Sequence, residues 1–262
     1  MKIRKWFVLC VVFMVGCMSL PGSSAEIAIP APVKLPLLVW DLNFNEDPEG
    51  SPPRGPSREE LEVLSSAPWN GLPIKTYCER GLIYITRSRI ASVENSPLGL
   101  KGRALLLTMG DHDHPQYGPQ LRLQIPDPIA KAASLWKFEV DIAKDVISRS
   151  GTITLWDIAN IRFMEDGTVR CEQVELGRYQ PNTPRHLKVE VDNKAGTMKI
   201  IWADASPVII PWRTDVSRRP DGLSSIILGG ITPGSYAETP AKIAYDNIRL
   251  TLLELRIERK DK

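Results

Sequence analysis

The predicted fold is decided by two extended segments, LLVWDLNF at residues 37–44 and KIAYDNIRL at residues 242–250. Between them lie about a dozen short runs in which apolar and polar residues alternate, separated by turn residues. Such alternation is typical of strands that bury one face. Because no strand alternates with a long amphipathic helix, a parallel α/β sheet is disfavoured. The pattern predicts an all-β fold, a two-sheet antiparallel β-sandwich closed by its own terminal strands.

The predicted strands share this period-two hydrophobicity. They lie at 81–87, 103–109, 119–125, 134–143, 151–158, 160–164, 168–175, 185–192, 196–203, 207–210, 224–230 and 242–254, after the opening segment. Short turns, such as residues 165–167 and 192–196, give the spacing that antiparallel hairpins need. A capping-box sequence at 57–60 and a segment around 127–133 predict one or two short helices in loops.

The first 25 residues have the parts of an export signal: a basic start, an apolar stretch from Trp6 to Gly16, and small residues before position 26. That stretch is too short for a permanent membrane helix, which needs roughly 20 residues. Alternatively, residues 14–17 are similar to a lipobox, which predicts lipidation of Cys17. The expected protein is exported: periplasmic, cell-surface or secreted, with a lipid anchor under the second scheme.

The predicted domains are a signal peptide at 1–25, a proline-containing linker at 26–36, the sandwich at 37–254 and a charged tail at 255–262. Loss of the signal removes three basic and no acidic residues, which takes the net charge from +2 to −1. This charge predicts no nucleic-acid partner, and membrane contact only through the possible lipid anchor.

Cys78 and Cys171 remain in the mature chain under either processing scheme. In an oxidising compartment they can pair, and closing so long a loop is worth about 4 to 5 kcal/mol in the chain-entropy model. The alternative is two separate buried thiols. Neither cysteine has the neighbouring cysteine or histidine that a thiolate metal site needs.

Three motifs allow a comparison with a known family. They are residues 42–44 with Gly50 and Pro52-Pro53, residues 186–192 before 196–200, and Asp246-Asn247-Ile248. Together they resemble the concanavalin A-like lectin/glucanase (laminin G-like) superfamily over most of residues 37–253. The resemblance implies a jelly-roll β-sandwich, a fold that hosts both carbohydrate-binding modules and polysaccharide-degrading enzymes.

Asp246 alternates in register with the apolar residues of the last segment, which predicts a buried carboxylate facing the core. A buried carboxylate needs a partner, because leaving it uncompensated costs several kcal/mol. The resemblance implies a structural Ca²⁺ between this strand and the opening segment, where Asn45, Glu46 and Asp47 offer oxygen ligands. The alternative is that Asp246 accepts backbone N–H groups from the opening loop.

A second candidate metal site is the loop at residues 110–115. His112 and His114 point the same way in an extended chain, so that two imidazoles face one transition metal. The remaining histidine, His186, is predicted on the polar face of its strand. The alternative is a solvated turn.

Three acids are candidates for catalysis. Glu139 and Asp141 share the polar face of segment 134–143, and Asp145 follows. The resemblance implies a comparison with laminarinase-type glycoside hydrolases, whose corresponding strand carries two catalytic glutamates with an aspartate between them. Here the third acid is an aspartate, and the strand is already ending. The alternative is alternating charge on an exposed face.

A sugar-binding patch is predicted from Trp156, which alternates with Thr154 on the polar face of segment 151–158. If segments 134–143 and 151–158 form a hairpin, the aromatic ring and the carboxylates lie together, an arrangement that recognises sugar C–H faces and hydroxyls. A loop covering Trp156 is the alternative. The candidate ligand-binding residues are Trp156, Thr154, Glu139, Asp141, Trp212 and Trp69, with Tyr179 and Tyr236 as further loop candidates.

The sequence therefore predicts an exported, non-catalytic module that binds a glycan or cell-envelope polysaccharide. The first alternative is a polysaccharide-degrading hydrolase or lyase that uses the acids at 139, 141 and 145. The second is a structural or adhesion protein of the envelope.

Overall fold

The structure, a computed structural model, describes residues 35–51, 83–85, 91–109, 120–125, 130, 133–147, 151–155, 158–211, 225–229 and 241–255. Their regular structure is almost entirely β. In chain order the described strands are β1 (Leu37–Leu42), β2 (Ile83–Ile85), β3 (Ala91–Asn95), β4 (Arg103–Met109), β5 (Gln120–Gln124), β6 (Ala133–Lys144), β7 (Gly151–Leu155), β8 (Ala159–Phe163), β9 (Thr168–Cys171), β10 (Val174–Arg178), β11 (Arg185–Asp192), β12 (Thr197–Trp202), β13 (Val208–Pro211), β14 (Ser225–Gly229) and β15 (Ala241–Leu255).

These strands form two antiparallel sheets. Sheet I has the order β13-β12-β11-β6-β15-β4-β3. Its eighth strand, β1, is outside this order and pairs with β15. Sheet II has the order β10-β9-β8-β7-β14-β5-β2. The predicted all-β sandwich of two antiparallel sheets is therefore confirmed.

The terminal segments pair with each other as the sequence predicts. β1 runs antiparallel to the second half of β15, from Leu37 opposite Leu252 to Leu42 opposite Ile248. The first half of β15 pairs with β4, and its other edge pairs with β6. The C-terminal strand thus holds β1, β4 and β6 in one sheet.

The core lies between the sheets and follows the period-two pattern of each strand. In β6 the alternate residues Trp136, Phe138 and Val140 are completely buried. Burying each large apolar side chain contributes about 1.5 to 3 kcal/mol. The predicted core positions of Trp40 and Trp136 are confirmed, at 2% and 0% exposure.

Two differences from the predicted strands have local causes. The segment predicted as one strand at 168–175 is two strands, because Glu172 adopts a left-handed backbone conformation (φ 52°) in the turn between β9 and β10. Strand β3 was not predicted, since the sequence ASVEN at 91–95 has few apolar residues.

The predicted helix after residue 57 lies outside the described residues, as does most of the segment at 127–133. The structure instead describes a 3₁₀ turn at Pro97–Gly99. Within the described part of the chain, no helix has the length and apolarity needed to cross a membrane.

Candidate functional site

Each sheet has an outer face that points away from the core, and the candidate residues divide between these two faces. The sheet I outer face carries Asp41, Lys137, Glu139, Asp141, His186, Lys188, Glu190, Lys199, Asp246 and Arg249. The sheet II outer face carries Thr152, Thr154, Asn160, Arg162 and Arg170.

The predicted patch that combines Glu139, Asp141 and Thr154 is wrong. β6 belongs to sheet I and β7 to sheet II, because the chain crosses the sandwich between Lys144 and Gly151. Glu139 and Asp141 therefore point away from Thr154, on the opposite side of the molecule. The candidates Trp156, Trp69, Trp212 and Tyr236 lie outside the described residues.

Asp246 is buried as predicted, but it does not face the core. It lies directly opposite Asp141 across β15 and β6, and opposed residues share a face. A β-bulge follows at Asn247, whose φ is 49°, and the extra residue inverts the alternation of the strand. Ile248 and the residues after it face the core, whereas Asp246 faces outward and is only 5% exposed.

The outward-facing Asp246 is buried because part of the sheet I outer face is covered. Ala104, Ala143 and Ala244 form a small apolar cluster with Leu98 and Leu100, which lie in and just after the 3₁₀ turn. Small side chains on three adjacent strands let this turn pack onto the sheet. Asp246 lies on the same face, two residues beyond Ala244.

Asp246 and Asp141 have different surroundings. Both oxygens of Asp141 are hydrogen-bonded, Oδ1 to Nδ1 of His186 at 2.7 Å and Oδ2 to Nδ2 of Asn247 at 2.8 Å. Oδ1 of Asp246 is buried and has no hydrogen-bond partner among the described residues. Burial, with a smaller contribution from the Asp141 charge, raises the pKa of Asp246 to about 6.

The opening loop that was predicted to supply calcium ligands is bound by an arginine. Nη1 of Arg103 donates to the carbonyl oxygen of Asp47 at 2.6 Å and to that of Asn45 at 3.2 Å. Among the described residues no group of three or more His, Cys, Asp or Glu side chains is arranged to hold a metal ion. Arg103 thus supplies positive charge to this loop, and calcium at Asp246 with Asn45, Glu46 and Asp47 stays a prediction.

The three candidate catalytic acids have separate partners. Glu139 pairs with Lys137 at 2.8 Å, and Asp141 is held by His186 and Asn247. Asp145 lies just after the end of β6, where its Oδ1 accepts the backbone N–H of Lys242 at 2.8 Å. Each carboxylate is therefore engaged within the sheet, and Asp145 serves the β6–β15 pairing.

The other charges of the sheet I outer face are also paired. Arg249 donates to Asp41 at 2.9 Å across β15 and β1. Glu190 accepts from Lys188 at 2.8 Å and lies 3.6 Å from Lys199, and these contacts, the Lys188 hydrogen bond first, hold the pKa of Glu190 below its usual value. The carboxylates of Asp41, Glu139 and Glu190 on this face are thus each matched by a cation of the same sheet.

The candidate Tyr179 follows β10 directly, in a loop as predicted, but its side chain is buried in the core and is not available to a sugar. Its side chain is 4% exposed and packs edge-on against Phe163 at 5.9 Å. The hydroxyl donates to the carbonyl oxygens of Met164 and Ile147 at 2.9 and 3.0 Å, and burial raises its pKa. The ring therefore fixes two loops to the sandwich.

Several predictions concern residues outside the described part of the chain: the signal segment with Cys17, the loop with His112 and His114, and Cys78. Cys171, the last residue of β9, is completely buried in the core. The Cys78–Cys171 disulfide stays a prediction.

The sheet II outer face presents polar side chains on three neighbouring strands. Thr154 Oγ1 donates to Oδ1 of Asn160 across β7 and β8 at 2.9 Å, and Thr152 Oγ1 donates to the carbonyl of Gly229 at 2.9 Å. The backbone N–H of Asn160 donates to Oε1 of Glu172 at 2.9 Å. These bonds orient the amide of Asn160 and leave acceptor lone pairs on both threonine hydroxyls.

Two arginines continue this polar surface. Arg162 on β8 lies directly opposite Arg170 on β9, and on its other side it faces Thr152. Both arginine side chains are partly buried. Sequence reasoning missed Asn160, Arg162 and Arg170, although their alternation with Ile161 and Phe163, and with Val169 and Cys171, is the available signal.

No protein-family model and no curated protein matches the chain. Among solved structures, a GH131 β-glucanase catalytic domain from Podospora anserina has a TM-score of 0.51 at 10% identity, covering 82% of this chain and 95% of that one. A sialidase has a TM-score of 0.47 at 13% identity, covering 64% of this chain and 17% of that one. The binding domain of botulinum neurotoxin DC has a TM-score of 0.44 at 11% identity, covering 66% of this chain and 44% of that one.

With the two-sheet topology, the similarity to the β-glucanase domain shows that the chain has the concanavalin A-like jelly-roll fold. At such low identity it shows the fold alone. A shared fold does not distinguish an enzyme from a binding module.

Proposed function

We propose that this protein is an exported binding module for a glycan or cell-envelope polysaccharide, and that the ligand lies on the sheet II outer face. The observation that carries the proposal is the set of hydrogen-bonding side chains on adjacent strands: Thr152 and Thr154 on β7, Asn160 and Arg162 on β8, and Arg170 on β9. Strands lie about 4.8 Å apart, so these groups form a dense array facing away from the core.

This array has the chemistry that sugar recognition requires. The threonine hydroxyls and the Asn160 amide offer both acceptors and donors, and a sugar hydroxyl can act as either. The pairing of Thr154 with Asn160 fixes their rotamers before a ligand binds, which lowers the entropy lost on binding. Trp156 follows β7 directly and is the aromatic ring that the sequence assigns to this site.

The sheet I outer face is a weaker candidate. Its carboxylates and cations are bound to each other, for example Asp41 to Arg249 and Glu139 to Lys137. A ligand there must break these contacts before it makes its own. An outer face that leaves polar groups to a ligand, as sheet II does, favours binding there.

The test is a glycan-binding screen of the mature chain, with titration calorimetry on any polysaccharide that binds. Trp156→Ala and Thr154→Val are expected to weaken binding, about tenfold for the ring and a few-fold for the hydroxyl. Lys188→Ala on the sheet I outer face is the matched control and is expected to leave affinity unchanged. Equal affinity of all three variants and the wild type would remove the sheet II assignment.

The same screen tests catalysis. An increase in reducing ends without unsaturated product indicates a hydrolase, and absorbance from unsaturated uronic acid indicates a lyase. A binding module leaves the polymer length unchanged over long incubation. Degradation that Glu139→Gln or Asp141→Asn abolishes would instead identify an enzyme that acts at the sheet I outer face.

A further inference from the structure

The sheet II outer face contains a pair of like charges on β8 and β9, toward one edge of the sheet. Arg162 and Arg170 lie directly opposite each other, and like charges in that relation destabilise a sheet. The other cross-strand neighbour of Arg162 is the uncharged Thr152. Within the described part of the chain, the side chain of Arg162 forms neither a hydrogen bond nor an ion pair.

Arg170 also has unused hydrogen-bonding capacity. Its Nε is buried and has no hydrogen-bond partner among the described residues. Among the described residues, Oδ2 of Asp166 forms a long ion pair with Nη2 of Arg170 at 4.0 Å, which is beyond hydrogen-bonding distance. The N–H and the Oγ1 of Thr168 both donate to the other oxygen of Asp166, Oδ1.

Among the described residues, the remaining acids at this end of sheet II form no ion pair with Arg162. Glu172 accepts the backbone N–H of Asn160 through Oε1. Glu175 lies opposite Arg170 on the far side of β9 from Arg162, and it is exposed. The side of the arginine pair toward β7 therefore faces hydroxyl and amide groups rather than carboxylates.

We infer that the Arg162–Arg170 pair binds an oxyanion group, a carboxylate or a sulfate, carried by an acidic polysaccharide. Two adjacent guanidinium groups present forks of N–H donors that match such a group bidentately. The anion removes the repulsion between the arginines and supplies an acceptor for unpaired N–H groups. The adjacent Thr154 and Asn160 then contact the hydroxyls of the same chain of sugars.

This inference rests on the proposed glycan-binding function and specifies its ligand. Binding is expected to weaken as salt is raised, because the charges lie close to solvent. Replacing Arg162 by lysine is expected to lower affinity too, since an ammonium group lacks the planar fork.

The test compares three polymers on the mature chain by titration calorimetry: a neutral β-glucan, a polyuronate and a sulfated polysaccharide. The wild type is expected to prefer one or both acidic polymers. Comparing its affinities for the polyuronate and the sulfated polysaccharide shows whether carboxylate or sulfate is recognised. Arg162→Gln is expected to lower that affinity at least tenfold and Arg162→Lys by less. Lys199→Gln, on the sheet I outer face, is the charge-matched control and is expected to change nothing.

The possible failures are distinguishable. Binding of the neutral glucan with no preference for either acidic polymer overturns this inference and leaves the proposed function standing. Binding of none of the three overturns both. Equal losses in Arg162→Gln and Lys199→Gln also overturn the inference, because they indicate general charge attraction. The melting temperature of Arg162→Gln, expected to equal or exceed that of the wild type, shows that the variant is folded.

Discussion

The two outer faces of this sandwich use charge in opposite ways. On sheet I, acids and bases alternate along strands and across them, as in the pairing of Glu190 with Lys188 of the same strand and with Lys199 of the next. On sheet II, Arg162 faces Arg170 and has no acid beside it among the described residues. A sheet exposed only to water gains from complementary cross-strand pairs, so the like-charged pair is the feature on which the proposed anionic ligand rests.

Asp246 is the exception on the sheet I outer face, because it is a buried carboxylate with one oxygen that has no hydrogen-bond partner among the described residues. Its raised pKa means that the folded chain holds a proton more tightly than the unfolded chain between about pH 4 and 6. The contribution of Asp246 to the unfolding free energy therefore falls as pH rises through this window, by roughly 3 kcal/mol in all.

Asp246→Asn gives the largest expected effect. Urea unfolding is measured at pH 4.5 and pH 8. The unfolding free energy of the variant, relative to that of the wild type, is expected to rise by up to about 3 kcal/mol between these pH values, because asparagine does not ionise. If the calcium predicted from the sequence binds there instead, the sign reverses at pH 8. Chelator then lowers the melting temperature of the wild type and not of the variant.

Glu190→Lys tests whether the sheet I outer face is held by complementary charge. The change places a lysine among Lys137, Lys188 and Lys199. We expect a loss of about 1 kcal/mol in unfolding free energy, decreasing at high salt. Glu190→Gln is the control with the charge removed but not reversed. An equal loss in both variants would contradict the charge argument.

Arg162→Glu gives the smallest expected effect and changes the sheet II outer face in the opposite sense, because the cross-strand neighbours of this position are Thr152 and Arg170. It replaces the like-charged pair by an opposite-charged one, which is expected to raise the unfolding free energy by about 0.2 to 1 kcal/mol. Binding of acidic polysaccharide is expected to fall sharply in the same protein. A loss of stability together with unchanged binding would show that the arginine pair is not a site.

Much of the fold followed from the sequence because alternation is a local property. The period of β6 correctly predicts that Trp136 and Phe138 lie in the core. The pairing of the two terminal segments, β1 and β15, is also predicted correctly. The prediction failed at Asn247, where one extra residue in a bulge inverted the alternation and turned Asp246 outward.

The candidate site was predicted less well, because a binding surface depends on which strands are neighbours. Thr154 was correctly assigned to the polar face of its strand, but Glu139 and Asp141 belong to the other sheet. The sequence does not single out Arg162 and Arg170, because eight positions separate them and each alone is an ordinary arginine on the polar face of a strand.

By itself the sequence determined the β class, the period of each strand and the closure of the fold by its two ends, since covalent geometry makes side chains alternate along any extended chain. Only the tertiary structure decided that Asp246 opposes Asp141 and that Arg162 opposes Arg170. These relations arise from hydrogen bonds between strands, and the pattern within one strand carries no information about which strand will lie beside it.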